Sequence, residues 1–314
     1  DLRAAIAEWF SATRNVDLQA IHADVVPTVG SKEGVALMAS LLHFGEDDVV
    51  VQPKVSYPTY EIGTQLAGAQ VLKVDDVADV ASWRNVPGVK AVWVNSPCNP
   101  TGEVYSAERM AGIVAAAREI GAVVLSDECY ALMQWRGAVN GAEGDPLQST
   151  PCALRSDVCA GSAEGVLVLY SLSKQSNMAG YRTAFIAGDE SLIASMSAYR
   201  KQIGQIIPGP VQAAMAAGLR DLESVKVQHA RYRERLGVLV SALRAYGYCT
   251  DMPDGALYVW VRAKSGDCWT DMEQLAKIGI IASPGEFYGA PECLRFSATA
   301  SDEAIASAAE RLAR

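Results

Sequence analysis

A chain of 314 residues, half of them hydrophobic, can build one large domain and a smaller one. Its net charge of −9 excludes the broadly basic surface that non-specific binding to nucleic acid or anionic membranes requires. Seven cysteines without a C-x-x-C pair, and three histidines in no metal or triad spacing, set aside a zinc site and a Ser-His-Asp hydrolase and fit reduced thiols in a cytosolic protein.

The sequence opens at Asp1, already inside a helical pattern and without an initiator Met, and reads as cut from something longer. Its first residues do not read as a signal peptide, and no apolar run approaches the length of a membrane span. A helix is predicted at Glu33–Phe44, a strand at Asp48–Gln52, a helix at Tyr60–Leu66 and strands at Ala69–Val74 and Val89–Asn95. A helix at Ala107–Ile120, with Ser106 as its N-cap, precedes a strand at Ala122–Ser126. From Arg136 to Gly165 the chain is rich in Gly, Ser, Pro and Asp and reads as a long surface excursion. Strands follow at Val166–Ser171 and Arg182–Gly188, then a helix at Leu192–Ile206. Strands that are apolar throughout, spaced by helices, indicate an α/β fold with a mostly parallel sheet covered on both faces.

A long helix is predicted at Ser224–Tyr246. Beyond it come a strand at Leu257–Arg262, a helix at Asp271–Gly279, strands at Ile280–Ala282 and Leu294–Ser297, and a last helix capped by Ser301. This mixture of short elements indicates a smaller α+β unit. The chain is therefore divided at residue 225 into a large domain, 1–225, and a small C-terminal domain, 226–314.

In a parallel sheet, ligands sit at the carboxyl ends of the strands. The run AVVLSDECY ends in Asp127, with Tyr130 three further on; VLVLYSLSK ends in Ser171, Ser173 and Lys174. AVWVNSPCNPTG ends in Asn99, and VVPTVGSKEG places Gly30 and Ser31 just before a helix. Desolvation at such a position lowers a lysine's pKa, which suits an amine that forms a Schiff base with an aldehyde. Asp127 could keep a pyridine nitrogen protonated on the far side of that aldehyde's ring. Arg182, Ser171 and the Gly30-Ser31-Lys32 turn offer a phosphate tail a guanidinium, a hydroxyl and free helix N–H groups. Pyridoxal phosphate is the cofactor that uses this set.

The motifs SLSKQSNMAGYR, NSPCNPTG, SDECY, SYPTY and LRFSAT, in this order of roles, resemble the fold-type I pyridoxal-phosphate aminotransferases of class I/II. The 28 residues from Asn99 to Asp127, the three to Tyr130 and the eight from Lys174 to Arg182 match that family's spacing. The resemblance covers essentially the whole chain. It implies a three-layer large domain on a seven-stranded sheet. It further implies a homodimer with shared active sites, acting on amino acids and keto acids.

By the same resemblance Lys174 binds the cofactor aldehyde and shuttles the substrate's α-proton, and Asp127 pairs with the ring nitrogen. Tyr130 and Asn99 hydrogen-bond the ring's phenolic oxygen, and Tyr57 stacks on the ring. Ser31 and Lys32 through their backbone, Ser171, Arg182 and also Ser173 cradle the phosphate. Arg295 clamps the substrate carboxylate, next to Asn99. Thr183 departs from the aliphatic residue or alanine that usually follows the arginine. The family also implies a segment before LRAAIA carrying a glycine near the substrate and a tyrosine for the partner's phosphate.

Within the family, SDECYALMQW, GPVQAAM, GALYVW and ASPGEFYG look most like the actinobacterial succinyldiaminopimelate aminotransferases. Aspartate, aromatic and histidinol-phosphate aminotransferases share the skeleton. A C–S β-lyase and a non-catalytic cofactor-binding domain remain alternatives from other classes. Cys98 and Cys129, beside site residues but without a base, read as small apolar fillers.

Overall fold

The computed structural model describes residues 1–135 and 150–314. Seven strands among them form the central sheet: β1 (Ala23–Val29), β2 (Val49–Pro53), β3 (Gln70–Val74), β4 (Val89–Asn95), β5 (Val123–Asp127), β6 (Val166–Ser171) and β7 (Thr183–Asp189). Their order is β1-β7-β6-β5-β4-β2-β3. Strands β2 to β6 run parallel, and β7 lies antiparallel between β6 and β1.

Side chains alternate across a strand, and this sheet is covered twice. In β4, Val92 and Val94 enter one core while Ala91 and Trp93 enter the other, so the strand reads as an unbroken apolar run. Helices α1 (Leu2–Trp9), α4 (Ala107–Glu119) and α7 (Gly209–Arg220) cover the first face. Helices α2 (Ser31–Leu41), α3 (Thr59–Leu66) and α6 (Glu190–Gln202) cover the second. A short helix, α5 (Leu172–Gln175), follows β6 directly. Ser106 caps α4 through a bond from the Arg109 N–H.

The second sheet has the antiparallel order β8-β10-β9, from β8 (Tyr258–Arg262), β9 (Ser283–Pro284) and β10 (Cys293–Ser297). Its core takes Leu236 and Leu243 from α8 (Leu222–Ala245), Leu275 from α9 (Cys268–Lys277) and Ile305 from α10 (Asp302–Leu312). Val225 packs in the core of the large sheet, whereas Tyr232 and the residues after it pack with the small one. Cys129 and Tyr130, in the loop after β5, also belong to the small sheet's core. The space beyond the end of β5 is thus walled by both sheets.

The structure departs from the sequence reading in several places, one being helix α7, which no expected element covered. No strand was expected before Gly30, yet β1 runs there at the sheet edge, where Pro27 costs no ladder bond that a central strand would need. The strand expected at Ile280–Ala282 is displaced to Ser283–Pro284, and Ile281 is exposed. The stretch from Arg136 to Gly165 is not all surface. Residues 136–149 lie outside the described residues, but Cys152, Ala153, Leu154, Cys159 and Ala163 are fully buried. Arg14, itself buried, makes this possible: it donates to the carbonyls of Thr150 and Pro151 and pairs with Glu128. Glu128 in turn accepts from the Ala153 N–H at 2.8 Å. Backbone groups that would hold this segment at the surface are satisfied inside.

All seven cysteines are unpaired. No helix among the described residues is long and apolar enough to cross a membrane.

Candidate active site

The direction of β7 assembles the site. Because β7 runs against its neighbours, its start lies at the same sheet edge as the ends of β1, β4, β5 and β6. Arg182 immediately precedes β7, so it meets Gly30 after β1, Asn99 after β4, Asp127 at the end of β5 and Lys174 after β6. A cavity of about 470 Å³ opens there. It is lined by Ser31, Lys32, Tyr57, Asn99, Asp127, Tyr130, Ser171, Ser173, Lys174, Arg182 and Arg295, which is every site residue expected from the sequence. Asn95, Cys129, Ala179, Tyr258 and Tyr288 complete the lining.

Lys174 stands on α5 and is half-buried. Its amine makes no hydrogen bond or ion pair with the described residues. Burial lowers its pKa below that of an ordinary lysine; Cys129 opposes the effect and the charge of Arg295 adds to it.

Asp127 is buried, which raises its pKa. Three contacts pull in the other direction: the Cys129 thiol, the Tyr60 hydroxyl, which donates to Oδ2 at 2.8 Å, and the Cys129 N–H, which donates to Oδ1 at 3.2 Å. Tyr60 is held by stacking on Trp93, with ring centroids 4.5 Å apart. Asn95 ties the two strand ends together. Its amide donates to the Asp127 carbonyl at 2.9 Å and its oxygen accepts from the Asn99 N–H at 2.8 Å.

The Asn99 side-chain oxygen accepts from Arg295 Nη1 at 2.7 Å, which leaves its NH₂ group for the cavity. Arg295 comes from β10 and lies between two aromatic rings, 3.9 Å from the centroid of Tyr258 and 4.7 Å from that of Tyr288. Its Nε is buried without a partner. Tyr130, whose hydroxyl was expected to face a ligand, lies 2.6 Å from the hydroxyl of Tyr258.

At the opposite end, α2 begins without a side-chain cap, so its first N–H groups face the cavity unclaimed. Gly30 has a φ of +73°, and a Cβ there would lie 2.1 Å from Arg182 Nη2. The absence of a side chain is what lets the guanidinium lie against the turn. The Gly30 N–H donates to the Arg182 carbonyl at 3.0 Å. The Ser171 hydroxyl donates to Ser173 Oγ at 2.8 Å. Thr183, the residue that departs from the family, is buried with its hydroxyl unpartnered.

These groups fit pyridoxal phosphate. An uncapped helix start, an arginine and two serines suit a phosphate. A buried carboxylate suits a protonated ring nitrogen, and an unpartnered amine suits an aldehyde. The buried, unpaired Nε of Arg295 is a donor awaiting a carboxylate. Tyr60, Asn95 and Tyr258 were not singled out from the sequence. Tyr60 stands three residues after Tyr57, just inside α3, and the two rings pack edge to face with centroids 5.6 Å apart.

The chain matches the family described as aminotransferase class I and II over residues 1–312. It is 39% identical over 313 residues to the 4-dedimethylamino-4-oxo-anhydrotetracycline transaminase OxyQ of Streptomyces rimosus, covering 99% of this chain and 82% of that one. It is 37% identical to a probable aminotransferase of Mycobacterium tuberculosis, over 98% of this chain and 69% of the relative. Among solved structures, a probable N-succinyldiaminopimelate aminotransferase from Thermus thermophilus superposes with a TM-score of 0.84 at 24% identity. That alignment spans 99% of this chain and 83% of the other, and shows a shared fold.

Proposed function

The chain belongs to the class I and II aminotransferases, which depend on pyridoxal phosphate, and from that premise we propose which residues do the work and on what substrate. Bound pyridoxal phosphate supplies an aldehyde that takes up an amino group and a ring that spreads the charge left at the substrate's α-carbon. Lys174 would hold the cofactor's aldehyde, and its Nζ is placed to act as the base that takes and returns the substrate's α-proton. Asp127 keeps the ring nitrogen protonated through a charge-assisted hydrogen bond, and Tyr130 and Asn99 donate to the ring oxygen. Tyr57 packs on the ring face. Ser31, Lys32, Ser171, Ser173 and Arg182 hold the phosphate, and Arg295 orients the substrate by its α-carboxylate.

One observation carries this reading. An unpartnered lysine, a buried carboxylate and an arginine laid against an uncapped helix start line a single cavity.

For substrates we propose glutamate as amino donor and N-succinyl-2-amino-6-oxopimelate as acceptor, an exchange in lysine and diaminopimelate synthesis. The cavity's charge supports it: Lys32, Lys174, Arg182 and Arg295 line it against the single carboxylate of Asp127. With Lys174 and Arg182 committed to the cofactor and Lys32 engaging the phosphate only through its backbone N–H, the side chains of Arg295 and Lys32 remain for a substrate with more than one acidic group. A second reading, favoured by the identity with the tetracycline-pathway transaminase, is a ketone acceptor on a ring system. We further propose a homodimer, supported by apolar exposure at Tyr181, beside Arg182, and at Ile203 and Ile206.

The test is spectroscopic. Glutamate should bleach the near-visible band of the protein–cofactor complex, and a keto acid should restore it. A panel comparing the succinylated acceptor with 2-oxoglutarate and with ring ketones then reads the substrate. Pyruvate release from cystathionine without any acceptor would indicate a lyase instead. Normal turnover by purified Lys174→Ala protein would reject the assignment of Lys174.

A further inference from the structure

Tyr258 opens β8 on the same face as Arg295, one diagonal step away: Tyr258 stands opposite Ser297, and Trp260 opposite Arg295. A diagonal neighbour is within reach of an aromatic ring. The guanidinium carbon of Arg295 lies 3.9 Å from the Tyr258 ring centroid. The Tyr258 hydroxyl extends the other way, to 2.6 Å from the hydroxyl of Tyr130. One side chain therefore touches both the arginine from the small sheet and the tyrosine from the large sheet's loop.

Each phenol carries one hydrogen. When Tyr130 spends its hydrogen on an acceptor in the cavity, the short bond between the two oxygens is made with the hydrogen of Tyr258. Burial raises the pKa of both phenols, and the charge of Arg295 pulls that of Tyr258 back down. A bond donated to a hydroxyl polarises it and strengthens the bond that hydroxyl donates onward.

We infer that Tyr258 is a positioning residue: its hydroxyl aims and strengthens the Tyr130 hydroxyl toward the cofactor's ring oxygen, while its ring seats Arg295 for the substrate carboxylate. The inference rests on the reading of the cavity as a pyridoxal phosphate site. It makes the two contributions separable, because Tyr258→Phe deletes the hydroxyl and keeps the ring.

The experiment uses the cofactor-loaded protein in four forms: wild type, Y258F, Y258L and Y288F. The pH midpoint of the bound cofactor's visible absorbance is recorded, together with the affinity for maleate, a dicarboxylate without an amino group. A donor to the ring oxygen stabilises the deprotonated chromophore, so weakening it raises the midpoint. Y258F should raise it by about half a pH unit, with maleate affinity changed less than about twofold. Y258L should do the same and also weaken maleate by about fivefold. Y288F removes a hydroxyl beside the other ring of the sandwich and should leave the midpoint unchanged. A Y258F midpoint equal to wild type, or a Y288F midpoint that moves equally, overturns the inference while leaving the cofactor assignment intact. No visible band in wild type overturns both. Should Y258L fail to fold by circular dichroism, the midpoints of Y258F and Y288F still decide.

Discussion

The hydroxyl of Tyr60 donates to Oδ2 of Asp127 at 2.8 Å, from a ring stacked on Trp93 beneath the cavity. Asp127 must be ionised to hold a protonated ring nitrogen, and burial works against that. The Tyr60 contact is one of those that pull its pKa back down. Cofactor binding should therefore be lost as pH falls through the Asp127 pKa. Tyr60→Phe keeps the stacking and removes the donor, so the acid edge of binding should move to higher pH. Affinity for pyridoxal phosphate near neutrality should fall about tenfold, the worth of one hydrogen bond to a charged group. Titrating apoprotein with cofactor at several pH values checks both.

The Lys174 amine attacks an aldehyde only when neutral. Its pKa is lowered by burial and by the charge of Arg295. Covalent capture of the cofactor should accordingly rise through a midpoint below that of a surface lysine. Arg295→Met removes a nearby positive charge and favours the ammonium form, so that midpoint should move upward. Borohydride trapping across pH, read by mass spectrometry, gives both curves. Identical midpoints in the two proteins would show that Arg295 does not act on Lys174.

Gly30→Ala places a methyl group where Arg182 Nη2 now lies, at a φ of +73°. Arg182 must give way. Affinity for pyridoxal phosphate should drop about ten- to a hundredfold, as for one lost charge-assisted contact. Pyridoxal without its phosphate should bind the variant and the wild type nearly alike. Parallel titrations with the two ligands distinguish a damaged phosphate clamp from a damaged fold.

Arg14→Met leaves Glu128 buried without its ion-pair partner. The variant should lose about 3–5 kcal/mol of stability in urea unfolding. Adding Glu128→Gln, which removes the stranded charge and keeps an acceptor for the Ala153 N–H, should recover part of the loss.

The residues that line the cavity were legible where they sit in short motifs at strand ends. Lys174, Asp127 and Arg182 are polar groups abutting apolar runs, and such contrasts are visible in one dimension. Tyr258 and Tyr60 were not, because a tyrosine in an apolar segment reads as core. What marks them out is a partner 128 residues away for Tyr258 and 67 for Tyr60. Strand β1 was hidden by Pro27, which disqualifies a central strand but not an edge. The burial of Cys152, Ala153, Leu154, Cys159 and Ala163 was masked by the turn-like composition around them. It depends on Arg14, whose bonds to Thr150 and Pro151 span more than a hundred positions.

The reversed course of β7 has a metric consequence. Residues 175–181 return the chain directly from the α5 amine to the guanidinium before β7, without a helical crossover. That short return acts as a ruler, setting the span between the Lys174 amine and the Arg182 guanidinium. A ligand whose two ends are spaced otherwise can engage one grip or the other, but not both. An insertion in this return would alter the calibration rather than merely lengthen a loop.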